Sequence, residues 1–558
     1  MAKLGRRTFL ASTGAFVALS ARGEEKPLWK AGIVTDTHVA RTRASCELVK
    51  KACDLFAEQG VDIFINCGDI ADHHYPEAYP ILKELTDAAF PTKPPKKIWV
   101  YANHDHIDRK NEPWEKVMAD VKRLLSATNE FYDLIDLNGY PLLVFPQWID
   151  VNRAEKMLSE VCADPKYAGK PVFVFDHVPP EATTDNSITW GSRARLDLFS
   201  KFPRIVNVTG HSHGSLRSEL NIWQGAFTSV NMGCLQVWGG HSVGGAPESK
   251  KNYGAVVMEV FADRIVFRRF DVRTKAEYGV DERWTVPLPF NPATAPYRRD
   301  RTTVTEPVPQ FPAGAALSLK ADSPFTAVDM TFPRAEGKHG TYIYNVQVTT
   351  PEGEPLTRSE MFGQFYLPEG ERAATVVRKL SAGYFDPGKR YRVRITPCNC
   401  FGKGGKPIEA EFTAPETNGF KTLFESDDPM VECPFMTGLE GGRRLKAKNG
   451  WYEIGAGNHR LEFPDGLWKG KGRFRFTIDM ETKQTAVRTW TLVLRNPNPL
   501  KNANARIATP AGNSGKMRYV IEFTKGNPAF FYYLLIREGG SGSVRFNHVK
   551  IERVKGLV

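Results

Sequence analysis

Short apolar runs that end in polar residues alternate with amphipathic stretches through the first half of the chain. The runs at 30–34 and 61–66 predict buried strands, and between them apolar residues recur at helical spacing from Leu48 to Phe56. Because the runs are continuous and not alternating, the strands should be covered on both faces, as in a layered α/β fold. The same pattern predicts helices over 76–89 and 113–127 and further strands over 96–101, 141–145, 171–175 and 204–209.

The second half of the chain shows a different pattern. Prolines are frequent between 287 and 319, which predicts an extended linker or a segment packed along the preceding domain. Over 320–415 and again over 418–558, apolar and polar residues alternate with a period of two, which is typical of strands with one buried face. At 558 residues the chain is too long for one hydrophobic core. We therefore predict a multidomain protein, with an α/β domain over 28–286 followed by two all-β sandwich domains.

Residues 1–23 are typical of an export signal and not of a folded segment. The paired Arg6 and Arg7 precede an apolar stretch over 9–19, and small residues follow. This start is similar to a twin-arginine signal. The similarity implies cleavage at the end of the segment and export to the periplasm, the cell surface or the medium, with no transmembrane anchor afterwards. An uncleaved N-terminal anchor is the alternative.

The charge of the chain narrows the range of partners. There are 75 Lys and Arg against 63 Asp and Glu, which gives a formal net charge of +12. This excess favours an anionic substrate or an anionic surface. No basic run is dense enough to read as a nucleic-acid-binding arm, so we expect no specific nucleic-acid partner.

Eight cysteines in an exported chain make disulfides possible. Cys46 and Cys53 lie about two helical turns apart, roughly 10 Å, which is beyond disulfide reach. Cys398 and Cys400 share one face of a predicted strand at about 6.6–6.8 Å, which is also poor geometry. Any bridge must therefore be long-range, for example one to Cys433.

Polar residues with metal-binding side chains follow several of the predicted strands. Nine of the twelve histidines lie between residues 38 and 241. The pair His211 and His213, taken alone, could belong to a solvated turn between glycines. However, ligands of open α/β sheets bind beyond the carboxyl ends of the strands, so residues at those ends should meet at one rim. The residues in these positions are Asp36, His38, Asp69, Asn103, His104, His177, His211 and His213.

The chemistry of this set favours two metal ions. Aspartate, asparagine and histidine supply the oxygen and nitrogen ligands that suit borderline divalent and trivalent ions. Seven candidate ligands, the set without His104, are more than one ion with open positions would use. Two ions that share a bridging carboxylate account for the number.

The motifs DTH, GD, NHD, H and GHSH occur in an order that resembles the calcineurin-like metallophosphoesterase superfamily, over about half of the chain. The resemblance implies a four-layer α/β sandwich whose rim holds two ions of iron, manganese or zinc. One departure is Ala102, where the family usually has glycine, but no ligand is lost. The resemblance implies that Asp36, His38 and His213 bind the first ion, that Asn103, His177 and His211 bind the second, and that Asp69 bridges them.

Two further residues take catalytic roles by the same resemblance. His104 lies just outside the ions and acts on the phosphate, and Asp105 orients it. The ions lower the pKa of a water molecule, so that hydroxide attacks phosphorus in line with the leaving oxygen. His104 stabilises the phosphoryl group and protonates the leaving alkoxide.

The form of the first two motifs, DTH and GDIAD, is most similar to the cyclic-nucleotide phosphodiesterase-like branch of the superfamily. We therefore expect a secreted phosphoesterase that favours phosphodiesters. A phosphomonoesterase of the same fold is one alternative. Another is a surface glycan-binding or scaffold protein with an inert phosphoesterase domain, although the intact ligand set argues against it.

Several other polar and aromatic residues fall near the predicted rim. They follow strand ends or lie in glycine-containing loops, where they could touch the substrate. Each is equally compatible with a structural role. These candidates for substrate contact are His73, His74, Trp148, Trp190 and His241.

The two all-β segments resemble known modules. Residues 320–415 resemble a fibronectin type III domain, with Tyr391 at the tyrosine-corner position. Residues 418–558 resemble a jelly-roll module of the carbohydrate-binding kind, in which Trp451 or Trp468 could stack on a sugar ring. This second resemblance implies an extracellular glycan as partner, whereas core packing of these aromatics is the alternative.

Overall fold

The fold is that of a computed structural model of the chain. The structure describes residues 25–236, 253–279, 283–299, 308–338, 340–365, 367, 369–416, 419–437, 442–455, 457–463, 467, 472–484, 489–495, 505–509, 515–524, 531–537 and 542–554. The predicted signal at 1–23 lies outside these residues, as do His241 and Trp468.

The α/β region has strands and helices in alternation over its first part and antiparallel strands at its end. In chain order its elements are β1 (Trp29–Val34), α1 (Arg43–Gln59), β2 (Ile63–Asn66), α2 (Ala78–Ala88), β3 (Lys96–Trp99), α3 (Trp114–Leu125), β4 (Asp133–Leu137), β5 (Tyr140–Val144), α4 (Val151–Ala163), β6 (Val172–Phe175), α5 (Ser187–Trp190), α6 (Arg193–Phe199), β7 (Ile205–Thr209), β8 (Ile222–Gln224), β9 (Thr228–Asn231), β10 (Gly254–Val260), β11 (Arg264–Asp271), β12 (Ala276–Glu277) and β13 (Trp284–Pro287).

Two sheets pack face to face at the centre of this region. The first has the order β12-β11-β10-β1-β2-β3, with β13 also paired to β11, and its β1, β2 and β3 run parallel. The second has the order β4-β5-β6-β7-β9-β8, in which β5, β6, β7 and β9 run parallel. Ile33 and Ile65 from the first sheet and Phe175 and Val208 from the second belong to one buried cluster. Each such side chain contributes about 1.5–3 kcal/mol on burial.

Helices cover the outer faces of both sheets. Phe56 of α1 and Val121 of α3 lie in the cluster on the first sheet, together with residues of α2. Leu158 of α4 and Leu198 of α6 lie in the cluster on the second. The region therefore has four layers, helix, sheet, sheet and helix. This arrangement explains the continuous apolar runs, since β2 and β6 are buried along their whole length.

The first part of the predicted linker packs on the α/β region. The Leu288 amide donates to the Asp263 carbonyl at 2.7 Å. Further along, the Tyr297 amide donates to Gln224 Oε1 at 3.2 Å, and the Tyr297 hydroxyl accepts from the Thr285 amide at 2.7 Å. An extended linker was therefore the wrong prediction for this part, and packing along the preceding domain, the alternative, describes it.

The rest of the described chain is built from antiparallel strands. In chain order they are β14 (Ser318–Ala321), β15 (Ala327–Pro333), β16 (Ile343–Thr349), β17 (Pro355–Phe362), β18 (Thr375–Ser381), β19 (Arg390–Cys398), β20 (Ile408–Thr413), β21 (Phe420–Ser426), β22 (Phe435–Thr437), β23 (Tyr452–Ile454), β24 (Gly457–Leu461), β25 (Arg473–Gln484), β26 (Thr489–Arg495), β27 (Ala505–Thr509), β28 (Gly515–Thr524), β29 (Phe531–Arg537) and β30 (Gly542–Val554), with a short helix α7 (Pro429–Glu432) after β21.

These strands form two pairs of sheets. In the first β-sandwich, β14-β15-β18 and β17-β16-β19-β20 enclose a cluster that contains Val328, Val346 and Val393. In the second, β21-β30-β25-β28 with β23 and β22-β24-β29-β26-β27 enclose a cluster that contains Phe476 and Leu461. Each all-β region thus has its own cluster, and the first cluster also contains Val520 of β28 from the second region.

Tyr391 and Trp451, two aromatic residues that the sequence resemblances single out, each have a defined contact in these regions. The Tyr391 hydroxyl accepts from the Asp386 amide at 2.9 Å, which is the contact that a tyrosine corner makes. The Lys483 ammonium lies 3.9 Å from the centre of the Trp451 ring. The fibronectin type III and jelly-roll resemblances stay predictions.

Neither a disulfide nor a membrane-spanning helix occurs among the described residues. All eight cysteines are free thiols, so the long-range disulfides that the sequence allowed are not formed. Among the described residues, no helix has the length and apolar character needed to cross a membrane.

Candidate metal centre

The residues that follow β1, β2, β6 and β7 converge at one rim of the two packed sheets. The backbone connects them, since the His38 amide donates to the Asp69 carbonyl at 3.0 Å and the Asp36 amide donates to the Gly68 carbonyl at 2.9 Å. Left-handed backbone costs a residue other than glycine about 1–3 kcal/mol, so tertiary contacts must hold it. The rim residues with this backbone, at φ between 38° and 66°, are Asp36, His38, Asp69, His211 and His213.

Two groups of candidate metal ligands share one carboxylate. The donor atoms within each group lie within 4.8 Å of one another, and Asp69 belongs to both groups. Asp69 Oδ2 lies 3.1 Å from His177 Nε2 and 4.0 Å from His38 Nε2, while its Oδ1 accepts from the His104 amide at 3.0 Å. The first of these groups is Asp36, His38, Asp69 and His213, and the second is Asp69, His177 and His211; a further group without Asp69 is His38, Asp72 and His104.

The Asp36 carboxylate is oriented by hydrogen bonds to one of its oxygens. Oδ2 accepts from the Thr35 hydroxyl at 2.7 Å and from the His211 amide at 2.9 Å. Oδ1 is buried and lies 2.9 Å from His213 Nε2 and 3.8 Å from His38 Nε2. A buried carboxylate costs free energy unless it is paired, and a cation held by the same imidazoles would pair with it.

The His177 ring is fixed by a backbone carbonyl. Its Nδ1 lies 2.8 Å from the Cys67 carbonyl oxygen, and since a carbonyl only accepts, Nδ1 carries the proton. Nε2 then faces Asp69 Oδ2 and lies 3.1 Å from His211 Nδ1. Carbonyl bonds of this kind set the tautomer of metal-binding histidines.

Asn103, the remaining ligand that the sequence predicts, has a buried side-chain oxygen. Its amide donates to Gln147 Oε1 at 2.8 Å, which fixes the backbone, and its Oδ1 is buried without a hydrogen-bond partner. An amide oxygen is a ligand that borderline and hard cations accept. The seven predicted ligands thus fit two ions, with nitrogen and oxygen donors throughout.

Charges within the two groups shift several pKa values. Burial lowers the pKa of His38, but the Asp36 carboxylate and its neighbours outweigh burial and raise it to about 10. Burial also lowers the pKa of His177, but the negative charges of Asp69 and Asp36 outweigh this effect and raise the pKa to about 9. Burial and the adjacent His177 lower the pKa of His211 to about 3. Metal ions bind neutral imidazoles, so binding here must displace protons.

Comparison with known proteins identifies the α/β region. Residues 30–215 match the family described as calcineurin-like phosphoesterase. These residues form a calcineurin-like phosphoesterase domain. The domain implies a phosphate ester as substrate and phosphoester hydrolysis as the activity, and the Asp and His groups support a metal cofactor.

Solved structures give distant similarities. A dimetal phosphatase from Danio rerio shares 11% identity, covers 47% of this chain and 100% of its own, and has a TM-score of 0.35. A conserved protein from Streptococcus pneumoniae TIGR4, described as a predicted phosphoesterase, shares 11% identity over 46% and 97%, with a TM-score of 0.24. A carbohydrate-binding module, CBM29-2, shares 14% over 24% and 77%, with a TM-score of 0.15. No match was found among curated proteins.

His104 lies beside the first ligand group of the phosphoesterase domain. Its ring meets the His38 ring edge-on, with centroids 4.6 Å apart. Its Nδ1 donates to the Asp72 carbonyl at 2.7 Å, and Asp72 Oδ1 lies 3.5 Å away. This arrangement leaves Nε2 as the ring atom that can meet an ester oxygen.

Asp105 has a different place from the predicted one. Its carboxylate accepts from the Ile70 amide at 3.2 Å, the Ala71 amide at 3.0 Å and the Tyr79 hydroxyl at 3.0 Å. Burial and the charge of Asp69 raise its pKa to about 6. The contact that orients the His104 ring comes from Asp72, so assigning that role to Asp105 was wrong. Asp105 instead holds the loop after Asp69.

The candidates for substrate contact separate into distinct environments. His74 is buried and bonds to the Asp105 carbonyl at 3.0 Å, so it has a structural place. His73 bonds to Asp108 at 2.8 Å on the surface. Trp190 meets the His211 ring edge-on at 5.9 Å, which is the contact closest to a ligand among these candidates. Trp148 stacks on Trp114 at 5.3 Å in a groove of about 330 Å³, and His241 lies outside the described residues.

Sequence reasoning missed a buried ion pair that supports the second ligand group. Arg195 Nε lies 2.5 Å from Asp176 Oδ2, and Asp176 Oδ1 accepts from the His177 amide at 2.6 Å. Arg195 also donates to the Gln147 carbonyl at 2.8 Å. The pair thus fixes the backbone at His177. It also fixes the backbone at Gln147, whose side chain accepts from the Asn103 amide. Only the position of Asp176 next to His177 hints at this in the sequence.

Gly210 allows the closest approach in the centre. A Cβ at this position would lie 1.9 Å from Thr35 Oγ1 and 2.3 Å from Asp36 Oδ2. We expect Gly210→Ala to displace the Asp36 carboxylate and to lower metal affinity and turnover by about 10–100-fold. Metal titration and phosphate-ester turnover measure both. Gly370→Ala, where a Cβ meets nothing within 4 Å, is the control. Wild-type metal affinity in Gly210→Ala would contradict the role of this glycine.

Proposed function

We propose that this protein is an exported two-metal phosphoesterase that favours phosphodiesters. The observation that carries the proposal is the pair of ligand groups that meet at the Asp69 carboxylate. The two ions, once bound, supply Lewis acidity that polarises the phosphate and activates water. A buried, preformed set of nitrogen and oxygen donors supports this chemistry because it needs little rearrangement on binding.

The chain's own residues supply the remaining functions. Asp36 and His177 are held by hydrogen bonds in orientations that keep one donor atom of each toward the centre. His104, held by the Asp72 carbonyl, is placed to donate a proton from Nε2 to an ester oxygen. Trp190 borders the second group and restricts what can approach His211.

The preference for diesters and the export of the protein rest on the sequence. The DTH and GDIAD motifs support the first, and the twin-arginine-like start supports the second. N-terminal sequencing of the mature protein tests the cleavage that export requires.

The test of the function is a panel of phosphate esters with metal content measured on the same sample. We expect about two transition-metal ions per chain. We also expect a higher kcat/KM on bis(p-nitrophenyl) phosphate than on p-nitrophenyl phosphate. Turnover of the monoester alone would favour the phosphomonoesterase alternative. A protein without bound metal, and inactive with added manganese, would favour the inert scaffold.

A further inference from the structure

Residues 182–190, hereafter the rim segment, border the second ligand group. The segment follows β6 and contains α5, and its Trp190 meets the His211 ring edge-on at 5.9 Å. Asn186 Nδ2 approaches the carbonyl of Ser212, the residue between His211 and His213, to 3.5 Å. The position of the rim segment therefore affects the space around the ligand loop.

The backbone of the rim segment does not hold this shape by local preference. Ala182 has φ 56° and Asn186 has φ 58°, both in the left-handed region. Alanine in this region is uncommon, because its Cβ crowds the backbone there. A segment with two such residues within five positions needs contacts from elsewhere to keep its conformation.

One of these contacts comes from the first β-sandwich. The Tyr342 hydroxyl lies 3.1 and 3.2 Å from the two carboxylate oxygens of Asp185, 157 positions earlier in the chain. Both residues are buried, at 9% and 6% exposure, so the bond forms away from water. The Tyr342 ring packs against Phe362 and Phe365, which fixes the hydroxyl from the sandwich side.

Arg299 and the ligand loop restrain the same segment. The Arg299 guanidinium donates to the Thr183 carbonyl at 2.8 Å and to the Ala182 carbonyl at 3.2 Å. A Cβ at Gly214, directly after His213, would lie 3.0 Å from the Asp185 Cβ. Asp185 is thus packed against the ligand loop on one side and bonded to the sandwich on the other.

We propose that the first β-sandwich is part of the catalytic unit, because Tyr342 positions the rim segment through Asp185. By this bond Tyr342 sets the places of Trp190 and of the loop that carries His211 and His213, and so affects substrate binding. Tyr342 is a positioning residue and does not touch the substrate. The expected effect on substrate binding rests on the proposed function. The bond between Tyr342 and Asp185, and its effect on the rim segment, do not depend on that function.

Tyr342→Phe removes the hydroxyl and keeps the ring. We expect kcat/KM to fall about tenfold, mainly through KM, since one hydrogen bond to a charged group is lost. We expect the metal content to stay at the wild-type value. Amide hydrogen exchange over 182–190, followed by mass spectrometry, should become faster because the segment loses a restraint.

Tyr344→Phe is the matched control. Tyr344 lies two residues further along, in β16, whereas Tyr342 directly precedes that strand. Tyr344 is buried at 1% exposure, and its hydroxyl accepts from the Ala335 amide at 3.1 Å inside the sandwich. This variant should keep wild-type kcat/KM and wild-type exchange over 182–190. An equal loss of kcat/KM in both variants would show that sandwich stability alone is responsible, and would overturn the inference.

The two readouts separate this inference from the proposed function. A wild-type protein that turns over no phosphate ester would remove the proposed function, and exchange over 182–190 would then decide the positioning on its own. Unchanged exchange in Tyr342→Phe overturns the inference in either case. Faster exchange with wild-type kcat/KM in an active enzyme overturns its kinetic part.

Discussion

Asp69→Asn protein should bind fewer than two ions per chain and lose phosphoesterase activity by about 10³-fold or more, since Lewis-acid stabilisation is worth several kcal/mol. Asp69 is the ligand that both groups share, with Oδ2 at 3.1 Å from His177 Nε2 and 4.0 Å from His38 Nε2. Asparagine keeps the shape and removes the charge that would lie between two cations. Metal content by mass spectrometry and turnover on the same sample measure the effect.

The control must be another buried aspartate, because burial alone makes such a change costly. Asp271 is 2% exposed, bonds to Arg273 through Oδ2 at 2.6 Å, and belongs to neither ligand group. Asp271→Asn should keep two ions per chain, even where its melting temperature falls. If Asp69→Asn protein bound two ions and kept wild-type turnover, Asp69 would not be the shared ligand, and the arrangement of two ions around one carboxylate would be wrong.

The part of the fold that carries the ligands could be predicted from local pattern. β1 and β2 are apolar apart from Lys30 and Asn66 because both faces are buried, and Asp36 and Asp69 follow where each strand leaves the core. Parallel pairing of β1 with β2 then brings the two carboxylates to one rim without any information on distant contacts. The short motifs are informative for the same reason: each marks the end of a buried strand.

The roles of neighbouring residues could not be predicted in this way. Asp105 follows His104 directly, yet its carboxylate binds the Ile70 and Ala71 amides, 35 and 34 positions earlier. Asp72 orients His104 through a backbone carbonyl, which no side-chain pattern records. Which buried donor an acceptor meets depends on how loops from different strands pack, and that packing is set by the tertiary fold. The contact between Tyr342 and Asp185, across 157 positions, is the extreme case.

His104→Ala should keep both metal ions and lose about 10²–10⁴ of turnover, the usual contribution of a general acid. The ring meets His38 of the first ligand group edge-on, and its backbone amide, which bonds to Asp69 Oδ1 at 3.0 Å, is unchanged by the substitution. Metal binding and chemistry are therefore separable at this residue. Metal analysis and single-substrate kinetics on the same preparation measure the two.

The leaving group distinguishes proton donation from simple binding by His104. An alkyl ester releases a strongly basic alkoxide and needs the proton, whereas a nitrophenyl ester releases a weak base and needs it less. The loss in His104→Ala should therefore be larger on the alkyl ester. His106→Ala is the control, because His106 lies in the same loop, bonds to the Glu112 carbonyl at 2.9 Å and meets Trp148, outside both ligand groups. Equal losses on the two esters would leave His104 as a phosphate-binding residue and assign leaving-group protonation elsewhere.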